Sequence, residues 1–214
     1  MIARQILIHE DAQAAAHAIA ARLITTIADA LAARGVAHVV VTGGSLGIAA
    51  LEAVAANPAR TSVNWSQVHF WWGDERFVAS DSADRNVRQA AALFEALDDL
   101  GLDRATVHAM GASDQYETAE QAAAAYAREL AEEAEEGALN PAFDVLMLGM
   151  GPDSHVASLF PNHTRSDEPG VIAVHDSPKP PADRVTLTMG TINTAKEVWL
   201  LVAGAEQAPA LAAA

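Results

Sequence analysis

One stretch of this chain constrains its fold more than any other: residues 143–161, which read FDVLMLGMGPDSHVASLFP. Residues 145–148 are apolar without alternation, as expected of a strand that is covered on both faces. The two glycines that follow allow a tight bend, and after the bend come Asp153 and His155. In an open α/β sheet, ligands bind at such a bend, at the carboxyl end of a strand. The stretch therefore predicts a buried strand that ends in a ligand site.

Apolar runs alternate with Ala-rich runs along the rest of the chain. We expect strands at residues 5–8, 38–42, 68–72, 144–148, 171–174, 185–188 and 198–202. We expect helices from the first strand to about residue 34, at residues 47–57, 86–97 and 118–136, and in the Ala-rich tail. This alternation predicts an α/β fold with a doubly wound, mainly parallel sheet and helices on both faces. Right-handed crossovers would bring the loops after residues 42, 72 and 148 to one rim of the sheet.

The composition limits the number of domains and the compartment. With 214 residues, the chain has enough length for one sizeable core and too little for two ordinary α/β domains. We therefore treat residues 1–214 as a single Rossmann-like domain. The absence of cysteine excludes disulfides and thiolate metal sites. The N-terminus lacks the pattern of a signal peptide, and together these features predict a cytoplasmic protein.

The charge balance limits the partners. A formal net charge of −15 predicts repulsion from nucleic acid and from anionic membranes. No apolar stretch approaches the roughly 20 residues that a membrane span needs. An anionic substrate would need a local cluster of cations, and Lys179, one of two lysines, lies in a stiff Ser-Pro-Lys-Pro-Pro loop close to Arg184. The alternative is that both are ordinary solvated surface charges.

The predicted strand at residues 38–42 also ends in a glycine-rich turn, TGGSLG. Backbone N–H groups at the start of the following helix are suited to bind phosphate, which makes Gly43, Gly44 and Ser45 candidates for substrate binding. Ser45 alternatively serves only as the N-cap of that helix. The turn matches neither a dinucleotide fingerprint nor a Walker loop, so it gives no reason to expect NAD or ATP.

The predicted strand at residues 68–72 is followed by Gly-Asp-Glu-Arg. Asp74 and Glu75 would suit a metal site with His155, but adjacent carboxylates are more often in a structural ion pair with a nearby arginine. Asn86, further along the loop, is a candidate ligand-binding residue or a helix cap. No metal site is expected here.

Four ordered motifs resemble those of the family of 6-phosphogluconolactonases and glucosamine-6-phosphate deaminases. They are the GxGxDxHxASLFP segment ending at residue 161, the WGDER segment at residues 72–76, the Asn86 loop, and SPKPP at residues 177–181 followed by RVTLT. In the deaminases the first segment ends near Phe-Asn-Glu-Pro, so the lactonase branch matches better. The resemblance covers nearly the whole chain, and it implies a sugar-phosphate isomerase type of fold.

The resemblance implies hydrolysis of 6-phospho-D-glucono-1,5-lactone to 6-phosphogluconate, in the oxidative pentose phosphate pathway. It implies that Arg76 contacts the substrate, that Asp74 shapes the pocket and that Arg184 binds phosphate. His155, oriented by Asp153, is the expected general base, because an imidazole changes its charge near neutral pH. No G-x-S-x-G elbow is present, so no serine nucleophile is expected. We expect no metal or organic cofactor and a monomer or weak homo-oligomer.

The chain departs from the family pattern at several positions. Ser154 stands where the family has glycine, Leu46 and Gly47 replace Thr-Pro, and Gln207 replaces a lysine that tends to contact phosphate. Relative to the family, one strand and one helix at the C-terminus are apparently missing. Two alternative functions remain: a sugar-phosphate deaminase or isomerase on the same scaffold, and a non-catalytic sugar-phosphate binding module.

Overall fold

The computed structural model describes residues 5–161, 167–204, 207–208 and 211. A parallel sheet contains β1 (Ala37–Val41), β2 (Val68–Trp72), β4 (Val145–Gly149) and β7 (Val198–Leu201), in the order β2-β1-β4-β7. A smaller antiparallel sheet contains β3 (Asp74–Arg76), β5 (Val171–Val174) and β6 (Arg184–Leu187), in the order β3-β6-β5. The helices are α1 (Ala12–Arg34), α2 (Ser45–Ala56), α3 (Asn86–Gln89), α4 (Ala91–Asp98), α5 (Ala119–Glu132) and α6 (Met189–Ile192).

The parallel sheet lies at the centre of the core. Every residue of β1 is buried, as are the first four residues of β4, which explains why these strands are apolar without alternation. Helices α1 and α2 pack on each other and on this sheet. The hydroxyl of Tyr126 on α5 accepts a hydrogen bond from the Trp72 backbone N–H at 2.9 Å, which fixes α5 against the end of β2. The mixed α/β fold with a mainly parallel sheet flanked by helices is confirmed.

The smaller sheet was not predicted. The strands β5 and β6 were expected to join the parallel sheet, but they pair antiparallel with each other, and β6 pairs with β3. Only residues 175–183 connect β5 to β6, and a parallel crossover needs a dozen residues or more. Strand β3 was expected to be loop, yet it follows β2 after only Gly73 and changes sheet there.

Other boundaries also differ from the expectation. Residues 5–8 form no strand, and Ile6 and Ile8 are 77% and 90% exposed because no neighbouring strand pairs with them. The predicted helix at residues 86–97 is interrupted at Ala90, where α3 ends and α4 begins. Helix α6 was not predicted. Most of the Ala-rich tail lies outside the described residues, so its predicted helix is not tested.

Helix α1 has the length and mean hydropathy of a membrane-spanning segment, contrary to the expectation from the sequence. The core helix of a globular protein meets the same criterion, and α1 has such a core face. Leu23, Ile24 and Ile27 are among its buried residues. Asp11 caps its first turn, accepting a hydrogen bond from Ala14 N–H.

Candidate functional site

The loops that follow β1, β2 and β4 meet at the carboxyl edge of the parallel sheet. Asn86 links two of them, because its Nδ2 donates to the Asp74 carbonyl at 2.8 Å while its Oδ1 lies against Gly43. A Cβ at position 43 would be 2.1 Å from this oxygen, so only glycine fits there. The Ser158 hydroxyl, in the segment after β4, donates to Asp74 Oδ2, so the loops after all three strands meet on one rim as the sequence predicted.

The turn after β4 holds His155 and Asp153 together. The His155 Nδ1 lies 2.5 Å from Asp153 Oδ1, and the imidazole ring packs at 4.6 Å, centroid to centroid, against Phe160. The turn closes on itself through a hydrogen bond from Gly151 N–H to the His155 carbonyl at 2.9 Å. A Cβ on Gly151 would be 2.1 Å from the imidazole, so this glycine makes room for the ring.

Ser154 has a φ of 66°, in the left-handed region. The family has glycine at this position, and glycine adopts this conformation without a steric cost. The serine Cβ is strained here by an amount of order 1 kcal/mol. The turn that carries the histidine therefore contains a strained residue.

The Pro-rich loop brings a cation to the same place. The Lys179 Nζ lies 3.7 Å from Asp153 Oδ1. The loop is held by Arg184, whose Nη2 donates to the Lys179 carbonyl at 2.9 Å and whose Nε donates to the Pro181 carbonyl at 3.2 Å. Arg184 therefore both adds charge and fixes the loop that carries Lys179.

The Arg184 guanidinium is buried, with only 5% of its side chain exposed. Its Nη1 lies 3.9 Å from Asp74 Oδ2, and the Ser158 hydroxyl donates to the same carboxylate oxygen at 2.7 Å. Burial lowers the pKa of Arg184, an effect that the carboxylate of Asp74 opposes and the nearby Arg76 charge reinforces. Ser158 and Phe160 were not singled out from the sequence as site residues, although both lie in the segment that carried the strongest signal.

Arg76 and Arg184 are directly opposite each other on β3 and β6. Two like charges directly opposite in a sheet destabilise it, and here the carboxylate of Asp74 lies close to Arg184 and offsets part of this repulsion. Arg76 donates to the Asp84 carbonyl. Its Nε is buried and has no hydrogen-bond partner among the described residues.

Glu75 organises the loop behind these residues. Its carboxylate accepts hydrogen bonds from the N–H groups of Asn86 and Val87, at 2.7 and 3.0 Å, and so caps α3. Its Oε2 lies 3.8 Å from Arg85 Nε, the arginine ion pair that the sequence favoured over a metal site. Burial raises the pKa of Glu75, and the bonds to Val87 and Asn86 oppose that rise.

The turn after β1 differs in detail from the expectation. Gly44, with a φ of 79°, is the N-cap of α2, and Ser45 is the first helical residue with no capping hydrogen bond from its side chain. The reading of Ser45 as an N-cap is therefore wrong. Both residues are exposed at the helix start. A Cβ at position 47 would be 2.7 Å from the Thr42 carbonyl oxygen. Gly47, one of the departures from the family pattern, therefore lets the backbone of α2 lie close to this carbonyl.

Gln207, which replaces the family lysine, has a structural contact. Its Oε1 accepts a hydrogen bond from the Ala203 backbone N–H at 3.1 Å. Arg76, Lys179 and Arg184 are the cations described above that lie near the histidine and its carboxylate partners.

A parallel sheet whose carboxyl edge carries a histidine–aspartate pair and several cations is typical of α/β proteins with a ligand site at their strand ends. The family model described as glucosamine-6-phosphate isomerases/6-phosphogluconolactonase matches residues 10–214. The chain belongs to this family, which confirms the resemblance seen in the motifs.

Similar proteins agree with this assignment. A 6-phosphogluconolactonase of Streptomyces coelicolor is 52% identical over 98% of this chain and 82% of its own length. A 6-phosphogluconolactonase of Mycobacterium leprae is 43% identical over 97% of this chain and 84% of its own length. The crystal structure of a 6-phosphogluconolactonase from Thermotoga maritima matches with a TM-score of 0.76 and 29% identity, over 92% of this chain and 84% of that one.

Proposed function

We propose that this chain hydrolyses 6-phospho-D-glucono-1,5-lactone to 6-phosphogluconate, as a step of the oxidative pentose phosphate pathway. The observation that carries the proposal is the His155–Asp153 pair beside a group of cations. The family and its relatives named 6-phosphogluconolactonase support the same activity. No metal or organic cofactor is needed for this reaction.

His155 acts as the general base in the proposed mechanism. Asp153 accepts a hydrogen bond from the Nδ1–H group, so Nε2 offers its lone pair to a water molecule. The water oxygen attacks the lactone carbonyl carbon as its proton moves to Nε2. The tetrahedral intermediate then collapses, the bond from the carbonyl carbon to the ring oxygen breaks, and the imidazolium returns the proton to that oxygen. A positioned base of this kind typically contributes a factor of about 10²–10⁴.

Asp153 remains a carboxylate over the working range of this mechanism. Partial burial acts to raise its pKa, but the hydrogen bond to His155 and the charge of Lys179 hold the pKa below its ordinary value. Because the group is depressed, its contribution is present at neutral pH and is lost only as the pH falls through the lowered pKa. The orientation of the imidazole is therefore kept wherever the base itself is neutral.

Arg76 is the proposed donor to the developing oxyanion. Two N–H groups of the turn, those of Gly151 and Ser154, already donate to carbonyls within the turn. Arg76 lies opposite Arg184 on the neighbouring strand, and a preorganised charged donor stabilises an oxyanion most where water is excluded.

Lys179 and Arg184 are the proposed phosphate contacts, together with Gly43, Gly44 and Ser45 at the start of α2. Asp74 and Asn86 shape the pocket between them. A phosphate anchored away from the reacting carbonyl lets its binding energy orient the lactone for attack. The stiff Pro-rich loop reduces the entropy that Lys179 loses when it binds.

A pH-stat assay on freshly made phosphorylated lactone, corrected for spontaneous ring opening, tests the proposal. We expect turnover that saturates with substrate. Ammonia release from glucosamine 6-phosphate would instead support the deaminase alternative. Binding of 6-phosphogluconate by calorimetry without lactone turnover would support the binding-module alternative, and either result would overturn the lactonase assignment.

The sequence supports four further predictions about this protein. They are a cytoplasmic location, a monomer or weak homo-oligomer, one domain over residues 1–214, and no binding to nucleic acid or membrane. The acidic net charge of −15 supports the last of these by charge repulsion.

A further inference from the structure

A second cluster of ionisable side chains lies toward the opposite edge of the parallel sheet, away from the rim. His69 is near the start of β2, His108 follows the short helical turn at Arg104–Thr106, and Glu133 ends α5. One ligand atom from each of these three residues lies within 4.8 Å of the other two. The proposed lactonase mechanism uses none of them.

The spacing of these atoms matches a metal-binding arrangement. The His69 Nδ1 lies 3.0 Å from His108 Nε2 and 3.5 Å from Glu133 Oε2. Ligands about 2.0–2.1 Å from a tetrahedral zinc ion are separated from each other by about 3.3 Å. The two distances from His69 lie on either side of that value, and the ligand atoms of His108 and Glu133 lie within 4.8 Å of each other.

The His108 ring is held in the orientation that a metal ligand needs. Its plane stacks on Trp71 with centroids 3.7 Å apart and an angle of 5°. Its Nδ1 lies 2.6 Å from Glu129 Oε1, so this nitrogen carries the proton and Nε2 directs a lone pair at the cluster. A carboxylate on the far nitrogen is the usual partner of a metal-bound histidine, because it fixes the tautomer and raises the basicity of the ligand.

The charges also suit a divalent cation. Burial lowers the pKa of His69, an effect that Glu133 opposes and His108 reinforces. Glu133 is 39% exposed, against 15% for His69 and 5% for His108, which opens the cluster to solvent on the carboxylate side. Two imidazoles and a carboxylate are the ligand set of the His₂Glu type of zinc site, in which water takes the fourth position.

We propose that His69, His108 and Glu133 bind one Zn²⁺ ion, with Glu129 holding the His108 ring from behind. The site is separate from the lactone site, because His69 lies three residues before the carboxyl end of β2, about 10 Å at the rise of a strand. The proposal is therefore independent of the proposed function. Without an ion, the two imidazoles share the hydrogen bond seen at 3.0 Å.

Metal titration of the purified, tag-free protein tests the proposal. After treatment with EDTA, the protein is titrated with Zn²⁺ in competition with a chromophoric chelator, and with Co²⁺ for its visible spectrum. We expect one Zn²⁺ per chain and the intense absorption of tetrahedral Co²⁺. Glu133→Gln should weaken Zn²⁺ binding at least about 10–100-fold, the loss that even an outer partner of a ligand causes.

Glu132→Gln is the matched control, because it removes the same charge at the neighbouring exposed position. It should leave Zn²⁺ affinity unchanged, as should His155→Ala, which reports on ion binding at the rim. His69→Ala provides a second test at a residue less buried than His108. The proposal is overturned if wild-type protein shows no stoichiometric site, if the Glu132 and Glu133 variants bind equally, or if His155→Ala removes the binding.

Discussion

The two edges of the parallel sheet use histidine in opposite ways. At the carboxyl edge, His155 lies on a glycine turn with a carboxylate at 2.5 Å and cations around it. Toward the amino edge, His38, His69 and His108 lie in contact with one another and with Trp71. The first arrangement suits proton exchange with a substrate, whereas in the second burial lowers the pKa of His38 and of His69.

The difference shows that surroundings, and not residue type, decide what a histidine does. Burial lowers the pKa of His38 to about 4, with the neighbouring His69 as the next cause. At the other edge, Asp153 fixes the proton on one nitrogen of His155 and leaves the other exposed to a ligand. A neutral imidazole is needed at both edges, but at the rim it must also be able to accept a proton.

The largest expected effect comes from His155→Ala. Loss of the base should lower kcat/KM for the phosphorylated lactone by about 10²–10⁴-fold, measured in the pH-stat assay. His69→Ala, at the opposite edge, should leave the same parameter unchanged. Wild-type turnover in the His155 variant, with an unchanged circular dichroism spectrum, would remove this residue from the mechanism.

The next effect concerns the cations of the rim. Arg184→Ala should raise KM for the phosphorylated lactone about 10–100-fold, because a hydrogen bond to a charged group is worth about 1.5–3 kcal/mol. The variant also loosens the Lys179 loop, so the comparison is made with unphosphorylated glucono-lactone under the same conditions. An equal rise in KM for both lactones would contradict a phosphate contact at Arg184.

The third expected effect is a pH dependence of the free energy of unfolding, caused by His38 near the amino edge of the sheet. The charged and titratable groups that face His38 are His69, His108, Asp144 and Arg34. Because the pKa of His38 is lowered in the folded chain, the unfolded chain binds a proton at this residue below pH 6.5, whereas the folded chain binds it only near pH 4. Its share of stability is therefore complete above pH 6.5 and is lost as the pH falls. At pH 5 the loss is on the order of 2 kcal/mol.

Urea unfolding at pH 7 and pH 5, in the presence of a chelator, measures this loss. His38→Gln removes the titrating group and keeps an acceptor for the Trp71 indole N–H, which donates to His38 at 3.2 Å. The free energy of unfolding of the variant should fall less between the two pH values than that of the wild type. Equal falls would show that His38 does not titrate in this range.

The smallest effect is expected at Ser154. Its φ of 66° favours glycine, so Ser154→Gly should raise the free energy of unfolding by about 1 kcal/mol or less. Ser45→Gly, in the first turn of α2, is the control, and it should lower stability because glycine disfavours a helix. A loss of stability at position 154 would mean that the serine side chain makes a compensating contact.

The sequence was sufficient to predict the parallel sheet and the position of the rim. An unbroken apolar run followed by glycines has few alternatives to a buried strand with a ligand turn, and three such runs preceded the rim loops. The sequence was not sufficient to predict the smaller sheet, because the apolar pattern of residues 171–174 is the same in either sheet. The connection of residues 175–183 is too short for a parallel crossover, and its length was the feature that indicated antiparallel pairing.

The side-chain contacts were predictable only in part. Asp153 lies two residues from His155, so their pairing could be anticipated from the spacing. The contact of Lys179 with Asp153 depends on how Arg184 holds the loop carbonyls. His69 and His108 could not be paired in advance, because they are far apart in sequence and each has an ordinary structural interpretation.

The arrangement of the rim affects the fraction of time for which the site is intact in the native state. His155 follows the parallel sheet, whereas Arg76 and Arg184 belong to the antiparallel one. Whichever sheet opens more often in native-state hydrogen exchange therefore sets the lifetime of the whole site. Because the site needs residues from both sheets, local opening of either sheet is enough to abolish activity, without global unfolding of the chain.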